Sequence, residues 1–215
     1  MKHALTLAIT LPLLLTASPA SATHVFINEI HYDNAGGDVG EFVEIAGPAG
    51  TDLTGWSIVR YNGSNGQAYT YSATSDVLGL LPNQSSGYGF AIMNYPTDGL
   101  QNGSPDGIAL VDNSGAVIQF LSYEGSFVAA DGPAAGLTST DIGVSEDSST
   151  PVDFSLQLTG TGSLYEDFTW AAPQTKKPGT VNASQTFSVP DHGSTFSLLA
   201  LGLLALPSAM KLRRN

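Results

Sequence analysis

The sequence predicts an all-β protein built as a two-sheet sandwich, and three observations support this class. Apolar and polar residues alternate in short runs, which is the two-residue period of a strand with one buried face. Glycine is abundant, with 24 residues, and turn-forming residues separate the runs. No run of useful length has the 3.6-residue period of an amphipathic helix.

The alternating runs follow one another through the chain. The candidate strands are 25–30, 41–45, 53–61, 67–72, 87–93, 108–111, 116–123, 155–158 and 167–170. Residues 112–115, Asp-Asn-Ser-Gly, are typical of a turn, so the two strands that flank them are expected to form a hairpin. Gly55 permits a tight turn, and Trp56 is expected to anchor the core because an indole buries a large apolar area.

Two less regular stretches complete the body. Residues 124–153 are rich in Ala, Gly, Ser, Thr and acidic residues, and we expect a long surface loop with at most one short strand. Residues 171–187 are rich in turn-forming residues and are expected to close the domain.

The charge is strongly asymmetric. The whole chain has a net charge of −12, and the segment 23–195 carries three basic residues against all 19 acidic ones, a net charge of −16. Such a body repels phosphate backbones, so direct binding of nucleic acid is not expected. Solubility is the simplest reason for the charge, and attraction of Ca²⁺ is the alternative.

Residues 1–22 have the layout of a secretory signal peptide. A lysine precedes an apolar run, and the segment ends in Ala20-Ser21-Ala22, so cleavage is expected after Ala22. The run from Ala4 to Leu15 is too short to span a bilayer, which needs roughly 20 apolar residues. The mature protein is therefore expected to be exported.

Residues 188–215 combine a polar motif, an apolar segment and a basic end. The segment Phe196–Met210 is mostly apolar and would rise about 22 Å as a helix. The basic residues that follow it are expected to stay in the cytoplasm. The motif residues are Val189, Pro190, Asp191, Gly193 and Ser194.

This tail resembles the bacterial PEP-CTERM class of sorting signals, in the variant whose motif reads V-P-D-S-G-S-T. His192 stands where that motif has a serine. The resemblance implies a transient membrane helix that an exosortase, a membrane-embedded protease, cuts near the motif to deliver the protein to the cell exterior. An ordinary single-span membrane anchor is the alternative.

The body resembles a lamin tail domain of the bacterial secreted type. The resemblance is carried by INEI, GEFVEI and DLTGWSI near the start and by SLQLTGTG, FTW and PGTVNASQTF near the end. It covers about residues 25–187 and implies an immunoglobulin-like β-sandwich. The domains are therefore expected to be 1–22, signal peptide; 23–187, lamin-tail-like sandwich; and 188–215, sorting motif, apolar helix and basic tail.

Residues for catalysis are few. The chain has no cysteine, which excludes disulfides and thiolate zinc sites. It contains no His-x-x-x-His pair, Gly-x-Ser-x-Gly turn or Gly-rich phosphate loop with lysine. His31 is expected at a strand end as a partly exposed structural residue. Alternation is expected to scatter Glu29, Glu41 and Glu44, which argues against a catalytic carboxylate pair.

A calcium site is the better-supported option for this part of the chain. Four oxygen-bearing residues surround glycines in the loop that follows the first strand, and hard cations prefer several oxygen ligands. The spacing does not match an EF-hand, and an exposed loop with ordinary turn residues is the alternative. The candidate ligands are Asp33, Asn34, Asp38 and Glu41.

The sequence as a whole predicts a non-catalytic exported protein without a required cofactor. It would bind, or form part of, a component of the cell surface or extracellular matrix, and it would meet an exosortase-type protease through its transient membrane helix. The alternatives are an accessory module of a secreted nuclease or phosphatase, or a small metal-dependent hydrolase.

Overall fold

A computed structural model describes residues 22–69 and 78–188. Eleven strands lie in this part of the chain: β1 Phe26–His31, β2 Phe42–Pro48, β3 Ser57–Asn62, β4 Gln67–Tyr69, β5 Tyr88–Asn94, β6 Asp106–Val111, β7 Val117–Tyr123, β8 Thr140–Asp141, β9 Phe154–Gly162, β10 Phe168–Thr175 and β11 Gln185–Phe187. A single turn of 3₁₀ helix, Tyr165–Asp167, precedes β10.

The strands form two sheets that pack face to face, which confirms the all-β sandwich. The first sheet has the order β10-β9-β1-β2-β5, with β11 added to β9, and the second has the order β4-β3-β6-β7-β8. The first sheet is antiparallel except for the pairing of β11 with β9, and in the second sheet β8 pairs parallel to β7.

The predicted hairpin between β6 and β7 is present. The Asp112 amide donates to the Ala116 carbonyl at 2.9 Å, and the Asp112 carboxylate accepts from the amides of Ser114 and Ala116. Gly115 has a φ of 87°, and Gly55, in the predicted turn before β3, has a φ of 82°. Both glycines therefore occupy the left-handed region, which side chains with a Cβ disfavour.

The main core lies between the sheets and draws on both. Apolar side chains of β1 and β2, such as Ile30 and Ile45, are completely buried and pack with Ile58, Ile108 and Leu121 of the opposite sheet. Leu53, which precedes β3, is also completely buried. Trp56 is only half-buried at the edge of this core, where it lines a cleft of about 370 Å³ beside residues 22–25. It is therefore less central than the sequence predicts.

The outer face of the second sheet is covered by part of the 124–153 segment. Tyr61, Phe120, Ala129 and Ala134 form a second, smaller apolar cluster there. The Tyr61 hydroxyl accepts a hydrogen bond from the Ala134 amide at 3.0 Å. The segment includes the predicted short strand, β8, and most of its residues are exposed, as the sequence predicts, whereas Ala129, Ala134 and Glu146 are buried.

The outer face of the first sheet is covered by residues 176–188, which we call the strap. The strap leaves β10, crosses β1 and β2, and returns to β9 as β11. Phe187, near its end, is 4% exposed and stacks on Tyr88 with a centroid distance of 4.2 Å. The strap thus closes the domain, as expected for this part of the chain.

Coverage on both faces explains the burial of the central strands. All six residues of β1 and all six of β6 are buried, polar ones included. Alternation predicts one dry and one wet face for each strand, so the sequence underestimates how many charged side chains are withdrawn from water.

The predicted signal peptide, apart from Ala22, and the predicted sorting motif and apolar helix lie outside the described residues. Within residues 22–69 and 78–188, no helix is long and apolar enough to cross a membrane.

Candidate functional site

The strands β1 and β2 are paired up to the ends of the loop that joins them. His31 and Phe42 are paired in the antiparallel register of the two strands, so residues 32–41 form a long hairpin loop at one end of the sandwich. The loop between β5 and β6 lies beside it, because the Asp98 amide donates to the Asp38 carbonyl at 3.1 Å. The candidate calcium ligands all lie in, or next to, this pair of loops.

Asp33 and Asp38 come together in the hairpin loop. Burial and the neighbouring Asp38 carboxylate raise the pKa of Asp33 to about 6. One Asp38 oxygen accepts from the Asn34 amide at 3.2 Å, and the other accepts from the Asn102 side chain at 3.0 Å. Asn102, which the sequence did not single out, therefore belongs to this group.

Asn34 lies next to the two aspartates and is completely buried. Its side-chain nitrogen is 3.1 Å from the Val39 carbonyl and 3.3 Å from Nε2 of His31. Its side-chain oxygen has no hydrogen-bond partner among the described residues. A buried amide oxygen without a partner is costly.

Glu41, unlike the other three candidate ligands, binds the backbone of the β5–β6 loop. It is completely buried, and its two carboxylate oxygens accept from the backbone amides of Gly99 and Leu100 at 2.7 and 3.0 Å. Burial, with smaller contributions from Asp38 and Asp98, raises its pKa to about 7. Glu41 thus fixes the β5–β6 loop, and both of its oxygens are occupied by protein donors.

Arg60 supports that loop from the opposite sheet. Its guanidinium donates to the Gly99 carbonyl at 2.9 Å and lies over the rings of Tyr69 and Tyr95, with 5.3 and 4.8 Å to the centroids. The only arginine of the described region is therefore used to hold backbone and aromatic rings, as guanidinium groups often do.

His31 is completely buried, whereas the sequence predicts a partly exposed residue. Its Nδ1 lies 2.9 Å from a carboxylate oxygen of Glu146, which is also completely buried. The other Glu146 oxygen accepts from the amides of Tyr32 and Asp33 at 2.6 and 3.1 Å. The side chain of Glu146 therefore closes the end of β1.

Tyr32 adds further hydrogen bonds between the end of β1 and the 124–153 segment. Its hydroxyl donates to the Glu124 carboxylate at 2.9 Å and accepts from the Glu146 amide at 2.9 Å. Its ring stacks on Tyr123, with a centroid distance of 3.8 Å. The His31–Glu146 pair resembles an acid–base dyad in composition, but its burial and its bonds to backbone make it a latch between β1 and the 124–153 segment.

Glu29 and Glu44 are neighbours, although the sequence predicts that alternation scatters the three glutamates. They face each other across the antiparallel pair β1–β2, and both are completely buried beneath the strap. Burial raises the pKa of both, that of Glu44 to about 8, and the nearby Glu29 adds to the shift of Glu44. Glu41 lies apart from this pair.

No group of three or more His, Asp or Glu side chains within residues 22–69 and 78–188 is arranged to hold a metal ion. The calcium prediction therefore narrows to two carboxylates, Asp33 and Asp38, with amide oxygens and backbone carbonyls as further ligands. The residues of the predicted sorting motif, Val189 to Ser194, lie outside the described part of the chain.

Part of the chain matches a known protein family. A family model described as Lamin Tail Domain matches residues 18–125, which is half of the chain. No curated protein and no solved structure matches the chain significantly. The matched range ends just after β7, so the Glu146 latch, β9, β10 and the strap lie beyond it.

The Glu146 latch gives a first testable prediction. Replacing Glu146 by Ala leaves the amides of Tyr32 and Asp33 buried without an acceptor, at about 1–3 kcal/mol for each unsatisfied group. We expect a lower free energy of unfolding in urea and faster proteolysis within residues 124–153. Asp153→Ala, which removes an exposed carboxylate from the same segment, is the control and should change little; equal stability of the two variants would contradict the latch.

The narrowed calcium site gives a second prediction. A ligand that binds the native state raises its stability, so millimolar Ca²⁺ should raise the Tm of the protein. Asp38→Asn should abolish this rise, since it removes one of the two clustered carboxylates, while Asp153→Asn should keep it. An unchanged Tm of the unmodified protein over the same range would exclude the site.

Proposed function

Since the chain belongs to the lamin tail domain family, we propose that it is an exported, non-catalytic protein of the cell surface or extracellular matrix. In this role the sandwich binds a component of the cell surface or matrix, or forms part of it. Residues 1–22 and 188–215 direct its export. The family membership comes from the matched domain, while the export route comes from the layout of residues 1–22 and 188–215.

One observation carries the non-catalytic assignment. Three buried side chains of types that act as acid or base in enzymes, those of His31, Glu41 and Glu146, are used to hold the fold together. His31 and Glu146 bind each other and the backbone at the end of β1, and Glu41 binds two backbone amides. A general base must reach the proton that it abstracts in a bound substrate, and none of these three side chains is exposed.

The surface chemistry supports a role outside the cell rather than on nucleic acid. The described residues include 17 acidic side chains against Arg60, Lys176 and Lys177, and Arg60 is buried. Such a surface repels polyanions at moderate salt. It favours cationic partners, or partners bridged by divalent cations, in the matrix.

We further propose that the C-terminal tail is a sorting signal that an exosortase-type protease removes. The support is the order of the motif Val189-Pro190-Asp191-His192-Gly193-Ser194, the apolar segment and the basic end. The fold adds one point: Phe187 is fixed in the core and Ser188 donates to the Gly162 carbonyl at 2.8 Å. The sandwich thus holds the residues directly before the motif, and removal of the tail would leave these contacts in place.

Intact mass of the protein recovered from outside the cell tests this route. We expect a mass that lacks residues 1–22 and the apolar segment Phe196–Met210, with a new C-terminus close to residues 189–195. Replacement of Pro190 and Asp191 by Ala should leave the tail attached and the protein in the membrane fraction. A surface-exposed protein that retains the tail through Asn215 would support an ordinary membrane anchor instead.

The hydrolase alternative is tested directly by activity. The purified protein should show no turnover of single- or double-stranded nucleic acid or of phosphomonoesters with Mg²⁺, Ca²⁺ or Zn²⁺ present. Metal-dependent turnover that His31→Ala or Glu41→Gln abolishes, with Asp153→Asn unaffected, would overturn the non-catalytic assignment. Co-purification with a secreted nuclease or phosphatase would favour the accessory-module alternative.

A further inference from the structure

The strap, residues 176–188, is attached to the first sheet through buried polar groups of β1 and β2. The Lys177 amide donates to Oε1 of Glu29 at 2.8 Å, and the Gly179 amide donates to Oε2 of Glu44. The Asn182 side chain donates to the Asn28 carbonyl at 2.9 Å, and the Gln185 side chain donates to Oδ1 of Asn28 at 2.7 Å. The strap thus covers two carboxylates and uses both as acceptors.

Glu29 and Glu44 lie directly opposite each other in the β1–β2 pair. The Cβ atoms of residues in such positions are about 4.5–5.5 Å apart, and two ionised carboxylates buried on neighbouring strands repel each other. The charge of Glu29 accordingly contributes to the raised pKa of Glu44. Oε2 of Glu29 has no hydrogen-bond partner among the described residues. Oε1 of the same side chain accepts from the Ser155 hydroxyl at 2.5 Å and from Lys177, so Oε2 is the free position for a proton.

The charged groups around this pair do not compensate two carboxylates. Lys176 and His31 act on Glu29 at longer range, but Nζ of Lys176 is bonded to the Val152 carbonyl at 2.9 Å and His31 is paired with Glu146. The Lys177 side chain is exposed. The facing residues of β9, Ser155 and Gln157, are neutral, as is Ile92 of β5, whose side chain lies beside Gly179 of the strap.

We propose that residues 176–188 form a proton-locked strap: the Glu29–Glu44 pair keeps it docked while the pair holds a proton, and loss of that proton releases the strap from the sheet. Release admits water to the two carboxylates. Hydration then removes the free-energy penalty of having both of them ionised while they are buried beneath the strap. The device is independent of the export route and of the sorting tail.

The direction of the pH dependence follows from which state of the strap, docked or released, binds more protons. With the strap docked, burial raises the pKa of Glu44 from 4.5 to about 8 and that of Glu29 in the same direction. In the released state both carboxyls return towards ordinary values, so the docked state holds more protons between about pH 5 and 8. Docking is therefore strongest at and below about pH 5, weakens as the pH rises, and becomes constant above about pH 8.

Hydrogen–deuterium exchange of the full chain tests the strap. After division by the intrinsic rate at each pH, the protection of the Lys177, Gly179 and Ser188 amides should fall by up to about tenfold per pH unit between pH 5 and 8, as release of one proton requires. Protection of the Ile45 and Ile108 amides in the core strands should fall less. Strap protection that does not change with pH, or that falls in step with the core, would contradict the proposal.

Two glutamate variants separate the proton lock from general destabilisation. In Glu29→Gln the amide nitrogen takes the unbonded Oε2 position, so the bonds of Oε1 are kept while one charge is removed. We expect strap protection at pH 8 at least tenfold above that of the unmodified chain. Glu166→Gln, at an exposed carboxylate, should leave the pH profile unchanged; a Glu29→Gln profile equal to that of the unmodified chain would overturn the proposal.

A further pair of variants checks the readout. Both oxygens of Glu44 accept from N–H groups, so Glu44→Gln places an amide against a donor and should weaken the strap at every pH. Phe187→Ala removes the apolar anchor and should release the strap without pH dependence. If Phe187→Ala left the strap protected at pH 5, the exchange of these amides would not report docking to the sheet, and the assignment of the strap as a releasable unit would fail.

Discussion

Coverage of the first sheet on both faces is the constraint on which the rest of the structure depends. The second sheet covers the inner side of β1 and β2, and the strap covers their outer side. Strand β1 therefore buries Asn28, Glu29 and His31 together with its apolar residues. A buried polar group costs free energy unless it is hydrogen-bonded. The hydrogen bonds of the buried acidic side chains serve this purpose.

The acidic side chains form much of the hydrogen-bond framework, mainly by accepting from backbone amides. Glu146 closes the end of β1, Glu41 fixes the β5–β6 loop, and Glu29 and Glu44 hold the strap. Within residues 22–69 and 78–188, no lysine or arginine nitrogen lies within 4 Å of a carboxylate oxygen, and His31, at 2.9 Å from Glu146, is the one basic side chain that does. Backbone amides take the place of cations, and because they carry only partial charge, burial raises the pKa of several of these carboxyls.

This arrangement shows how acidic residues in a small sandwich can imitate a catalytic site. A buried histidine beside a glutamate, and two glutamates facing each other, are the components of hydrolase chemistry. Here each carboxylate meets strand ends, loops or the strap instead of an open cleft. The distinction depends on access and on hydrogen-bond partners, since the residue types are the same in both cases.

Local signals in the sequence predicted the strands well, because alternation and turn residues act over a few positions. The β6–β7 hairpin and the turn at Gly55 depend on such signals, and both are confirmed. Trp56 was predicted to be more deeply buried than it is, since a large apolar side chain near a strand end can lie at the edge of a core. The Glu146 latch had no local signal, because it joins residues 115 positions apart.

The sequence by itself determined the class of the fold, the family and the acidic character of the surface, since periodicity, short motifs and composition are properties of neighbouring residues. Tertiary structure alone decided which acids are buried and what they hold. Alternation assigned one face of each strand to water, but the strap and the 124–153 segment return over these faces from distant parts of the chain. Glu29, Glu44 and His31 thereby became interior groups, because burial is set by what packs over a strand and not by the strand's own pattern.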